Sequence, residues 1–149
     1  LQHFQPGIVT PLAGSSFVAV QQWEHQFDRF EAMSPRQRDD VFGRRRSSNE
    51  EIAGAPPSAH VKRTAQENFE PAAFVVRRSM PWADAMRAGL VFVSFGSSLD
   101  KFEAQLRRMA GADDGITDAL FKFTRPVSGA YFWCPAMRRG RLDLGPLDL

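Results

Sequence analysis

The chain has 149 residues, 43% of them hydrophobic, 24% charged and 13 of them Phe, which is ample material for a core and an ordinary charge content for a folded domain. A formal net charge of +2, from 19 Lys and Arg against 17 Asp and Glu, gives no general attraction to nucleic acid. The single cysteine, Cys134, rules out an intrachain disulfide and a cysteine-rich metal site and suits a reducing compartment.

The elements are predicted in chain order. Gln5-Pro6-Gly7 and Thr10-Pro11 mark an opening loop. Ser16 to Trp23 is rich in β-formers and predicts a strand. Trp23, Phe27 and Phe30 then fall at helical spacing. Ser34-Pro35 with Gln37 makes a capping box, and Gly43 stops the short helix that it starts. Arg44 to Pro57 is polar and reads as a loop. Ala72 to Arg78 and Gly89 to Phe95 are the next predicted strands. Ser97-x-x-Asp100 is expected to cap a helix carrying Leu99, Phe102, Leu106 and Met109 on one face, closed by Gly111. A short helix near Ile116 to Leu120 and a strand from Gly129 to Trp133 complete the set, and the tail from Arg138 shows no period. Setting the loop aside, the order is βαββαβ, an α+β fold of the ferredoxin-like type with an antiparallel sheet and helices on one face. No apolar run reaches membrane-spanning length and no basic-then-apolar leader opens the chain, so a soluble, cytoplasmic protein is expected.

Several residues carry candidate chemistry. His60, in Pro56-Pro57-Ser58-Ala59-His60, reads either as an exposed loop histidine or as an iron ligand. Arg77 and Arg78 end a predicted strand, so alternation sends them to opposite faces and brings one guanidinium near buried surface, unless the strand is an edge with both solvated. Arg44, Arg45 and Arg46 follow a helix end, where cations complement its dipole, or they recognise a carboxylate or phosphate. Asp113, Asp114 and Asp118 surround Gly115 as turn formers, with room for one carboxylate to orient a ligating histidine. His3 and His25 lack partners at metal-ligand spacing and are read as structural or surface groups. Trp82, Tyr131 and Trp133 are electron-relay candidates that strand aromatics more often explain as core. No phosphate loop, dinucleotide fingerprint or nucleophile elbow is present.

Taken in order, Asn49-Glu50-Glu51, Pro57 to Thr64, Arg77-Arg78-Ser79-Met80-Pro81, Gly89-Leu90-Val91-Phe92, the helix ending in Met109, and Phe123-Thr124-Arg125-Pro126-Val127-Ser128-Gly129 resemble dye-decolorizing-type peroxidases of the bacterial B group. The resemblance runs from about Phe17 to Pro135. It implies that residues 1–149 form the C-terminal, haem-binding one of the family's two ferredoxin-like domains. His60 would then be the proximal ligand of haem b (iron protoporphyrin IX) and Arg77 the distal arginine that polarises hydrogen peroxide. Arg44, after Phe42-Gly43, would pair with a haem propionate. Asp118, with Asp114 as its rival, would accept the proximal imidazole N–H. Leu90, Phe92 and Met109 would line the pocket, and Ser79 stands where some relatives carry Asn.

The implied partners are hydrogen peroxide, a small dye-like or phenolic reducing substrate and further copies of the chain. The N-terminal half of the family is expected as a separate fragment or chain, or lost by truncation, because Leu1 falls near the start of the second domain. The family's distal aspartate lies in a Gly-x-x-Asp-Gly motif upstream of the proximal histidine. Gly111-Ala112-Asp113-Asp114-Gly115 has that form but lies downstream of His60, and reads as a helix stop and turn. A haem-binding or assembly half-domain with little turnover is the alternative function. A basic ferredoxin-like RNA binder is a weaker third, since it lacks interleaved exposed aromatics on a sheet.

Overall fold

The computed structural model describes residues 12–147. The predicted opening loop at Gln5-Pro6-Gly7 and Thr10-Pro11, and His3, lie outside the described residues. Four strands, β1 (Ser16–His25), β2 (Val76–Ala83), β3 (Ala88–Gly96) and β4 (Thr124–Cys134), form one antiparallel sheet in the order β2-β3-β1-β4. That order places the first and third strands at the centre, as the ferredoxin-like βαββαβ unit requires.

Register assigns the side chains to faces. Trp23 pairs with Leu90, Gln21 with Phe92, and Ser79 with Phe92, so these residues share one face with Arg77, which pairs with Ser94. Val18, Phe95, Val76, Met80 and Phe132 take the opposite face. Helix α4 (Asp100–Met109) packs on the first face, with Phe102 stacked on Phe92 and edge-on to Tyr131. Gly89 is required in β3 because a Cβ there would collide with the Trp23 carbonyl, which also accepts the Trp82 indole N–H at 3.0 Å.

The helices before β2 are short. α1 (Phe27–Glu31) and α2 (Pro35–Phe42) lie against the 3₁₀ turn Ala119–Lys122, around buried Val41, Ala119 and Phe123, with Phe30 4.9 Å from Phe123. The capping box forms as read. Ser34 accepts from the Gln37 N–H, Gln37 accepts from the Ser34 N–H at 2.8 Å, Pro35 opens the helix and Gly43 leaves it at φ 76°.

The structure corrects several boundaries. Trp23 belongs to β1, which continues to His25, so the helical spacing begins only at Phe27. The strand expected at Ala72 to Arg78 is β2 at Val76–Ala83. Its position at the sheet edge admits Pro81, which has no N–H to give a ladder. The other edge strand, β4, likewise admits Pro126 and starts at Thr124, with an irregularity in pairing at Gln22/Trp23. Ser97 does not cap α4. Leu99 is its N-cap without a side-chain bond, and Asp100 and Glu103 supply the negative charge its first turn favours. The helix expected near Ile116 to Leu120 is the 3₁₀ turn at Ala119–Lys122, and the aperiodic tail holds a small hairpin, β5 (Met137–Arg138) with β6 (Arg141–Leu142).

Candidate functional site

His60 is not in a loop but at the first position of a one-turn helix, α3 (His60–Arg63), after the prolines have held the chain extended. Three contacts fix that turn. A Cβ on Gly43 would collide with Val61, so α2 and α3 touch where only glycine fits. The Ser58 carbonyl accepts the Ala119 N–H at 2.8 Å, tying the His60 segment to the acidic turn. Arg63, almost fully buried, forks onto both oxygens of Asp114 at 2.7 and 2.8 Å and reaches the Arg108 carbonyl at the end of α4.

Asp118 completes the arrangement. Its side chain is 0% exposed, and its Oδ2 lies 2.7 Å from His60 Nδ1. The other oxygen accepts the Leu120 N–H at 2.9 Å, and the Asp118 N–H itself donates to the Met109 carbonyl at 2.8 Å. A carboxylate held on both oxygens can only accept, so the ring proton of His60 sits on Nδ1 and the lone pair is left on Nε2.

His60 lies at the wall of a cavity of about 260 Å³. Leu90, Phe92 and Met109 give it an apolar lining, and Arg77 and Ser79 enter from the β2 edge. Arg77 lines the cavity while remaining largely exposed, like most of β2. Its Nη1 makes long contacts to the Gln105 side chain (3.4 Å) and the Thr64 carbonyl (3.5 Å). Burial lowers its pKa and Glu67 partly offsets this, yet a guanidinium remains charged. Arg78 faces the other way and is exposed, as alternation requires.

The fold therefore gathers His60, Arg77, Ser79, Leu90, Phe92 and Met109 at one cavity, with Asp118 directly behind His60. Arg44 is not gathered with them. It pairs with Glu51 at 3.5 Å and donates to the Asn49 carbonyl at 2.9 Å, outside the cavity lining. Asp114 and Asp113 are taken by Arg63 and Arg107, which leaves the Gly111 to Gly115 string as a turn. The sequence reading overlooked two groups. His25, taken for a structural or surface group, lines the cavity, and so does Gln105, which also holds the Ala73 carbonyl at 2.8 Å. Neither has a partner close in sequence that would have drawn attention to it.

The profile of the Dyp-type peroxidase C-terminal family matches residues 9–139. The chain belongs to this family. It is 27% identical over 131 residues to a dye-decolorizing peroxidase of Mycolicibacterium paratuberculosis, covering 84% of this chain and 37% of that protein. Among solved structures, the dye-decolorizing protein from V. cholerae superposes with a TM-score of 0.76 at 32% identity, over 82% of this chain and 42% of that one. A DypB variant of Rhodococcus jostii, solved in complex with heme, gives a TM-score of 0.75 at 23% identity, over 82% of this chain and 41% of that one, a likeness of fold. This Dyp-type domain thus spans about two-fifths of the length of these relatives.

Proposed function

We infer that this Dyp-type domain holds haem through His60 and works as the haem-bearing part of a peroxidase. One observation carries the reading: the enclosed Asp118 carboxylate 2.7 Å from His60 Nδ1, beside an apolar cavity. The residues present fit such a group. An imidazole has its Nε2 free, a carboxylate stands behind it, hydrocarbon walls exclude water, and one cation enters the cavity. Cys134 lies on β4 outside the lining, which favours haem b held without thioether bonds. Bound haem would supply the redox-active iron that passes electrons from a small reducing substrate, such as a phenol or dye, to hydrogen peroxide.

The chain's own residues have distinct tasks in this reading. Asp118 accepts the His60 ring N–H, which places negative charge on the imidazole and makes Nε2 a stronger donor. Arg77 orients peroxide through its N–H groups and stabilises the negative charge that develops as the O–O bond breaks. Its long contacts to Gln105 and Thr64 leave those donors room to turn. Ser79, Leu90, Phe92 and Met109 shape the cavity. Arg44 pairs with a propionate only by exchanging Glu51 for it, a swap of one exposed carboxylate for another that costs little.

Among the described residues no carboxylate lines the cavity, so the proton acceptor for peroxide is assigned to the part of the relatives this chain does not span. The sheet face bearing exposed Val76, Met80, Phe95 and Phe132 is where we place that part. Arg77→Ala is the test. It should slow the reaction of haem-loaded protein with peroxide by roughly 10²- to 10³-fold and change haem affinity much less. Equal loss of both would contradict the assignment.

A further inference from the structure

His25 is the last residue of β1, on the cavity side with Trp23. Its Nδ1 lies 2.8 Å from Thr124 Oγ1, while the Thr124 hydroxyl donates to the Glu24 carbonyl at 3.0 Å. A hydroxyl has one proton, so Oγ1 must accept from His25, and the ring proton is fixed on Nδ1. Nε2 keeps a bare lone pair and has no partner among the described residues. Burial lowers the pKa of this imidazole and favours its neutral form. The ring is braced edge-on by Phe27 and tilted against Phe123, with centroids 5.9 and 6.1 Å away.

The position of this acceptor is unusual. His25, Ser79 and Leu90 line both the His60 cavity and a shallower one that continues over Phe27, Pro81 and Trp82. Phe27 is 49% exposed there. The Trp82 N–H is engaged by the Trp23 carbonyl, so its ring offers apolar surface rather than a donor. Arg87 stands over that ring at 5.8 Å but is neutralised by Asp84 at 2.8 Å. The outer cavity thus combines aromatic walls, one unprotonated acceptor nitrogen and no uncompensated charge. A carboxylate or sulfonate brings only acceptors to such a nitrogen, and a plain arene leaves it unpaired. A neutral aromatic hydroxyl matches both features.

We propose that His25 Nε2 accepts a hydrogen bond from the hydroxyl of a phenol-class molecule seated against Phe27 and Trp82, which fixes a reducing substrate where the two cavities join. The molecule's role as reductant rests on the peroxidase reading, whereas its binding does not. His25 acts here as a binding and positioning group.

The experiment uses the haem-free full chain and two probes of nearly equal shape, phenol and toluene. Phenol should bind about tenfold more tightly than toluene, the worth of one hydrogen bond to a half-buried acceptor. It should move the His25 Nε2 resonance in ¹⁵N NMR, while toluene leaves it in place. His25→Phe keeps the aromatic packing and should abolish the preference. If that variant does not fold, the comparison on the parent chain still decides. Equal affinities, no binding of either probe, or a response at His60 instead of His25 would overturn the proposal. Because haem is absent, a failure of His60 to bind iron leaves this result standing, and a haem protein with no phenol preference sinks only the present inference.

Discussion

Arg63 and Asp114 stand 51 residues apart in sequence, yet the guanidinium of the first forks onto both oxygens of the second at 2.7 and 2.8 Å. The pair bolts the turn that carries His60 to the segment leading to Asp118. Replacing Arg63 with Met keeps most of its volume and removes the fork. The expected cost is about 1–3 kcal/mol, softened because Arg63 Nε is already buried without a partner. Urea unfolding measures it, and an unchanged midpoint would show that the fork contributes nothing.

The same pair has a pH signature. The Arg63 hydrogen bond is the main cause that holds the Asp114 carboxyl below its ordinary value. The unfolded chain therefore takes up this proton at a higher pH than the folded one. The pair's contribution is complete above about pH 4 and is lost as pH falls through the lower folded value. Arg63→Met should flatten stability against pH in that acidic window and leave neutral pH behaviour unaltered.

His25 gives a second window. Burial lowers its pKa, so between the folded value and about 6.5 the unfolded chain binds the extra proton. Stability should rise with pH through this range and level off above it. His25→Phe should remove that slope in thermal melts followed from pH 5 to about 7.5. A slope that persists would place its origin elsewhere.

Gly43→Ala forces a methyl group into Val61 and a side chain into positive φ (76°). Destabilisation of about 1–3 kcal/mol is expected. Adding Val61→Ala opens space and should recover the part due to collision but not the part due to φ. A double variant no better than the sum of the singles would show that the two residues do not meet.

Much of this architecture is legible in the sequence. The α2 capping box, the Phe102, Leu106 and Met109 face of α4 and the βαββαβ order depend on neighbours in the chain, which local patterns record. The misplaced ends of β2 and β4 depend on sheet position. Pro81 and Pro126 look like strand breakers until the strands prove to be edges. The resemblance already puts Asp118 ahead of Asp114, but the physical reason, the buried Arg63 claiming Asp114, is a tertiary contact that no local pattern records. His25 escaped because its partner, Thr124, lies 99 residues away. Arg44 was named from its motif, while the β-bridge to Glu51 that turns it outward is a tertiary fact.

Asp118→Asn retains an acceptor for the His60 ring proton but removes the negative charge. In haem-loaded protein the iron–histidine stretching band should move to lower frequency as the imidazole becomes a poorer donor. An unmoved band would mean that Asp118 only holds the ring in place.

The central claim is that the His60 Nε2 lone pair ligates iron. Reconstituting the parent and His60→Ala chains with haem and comparing their absorption and resonance Raman spectra tests it most directly. The account predicts a five-coordinate, histidine-ligated ferrous spectrum for the parent, lost in the variant and restored by added imidazole. An identical histidine-ligated spectrum from the variant would contradict it.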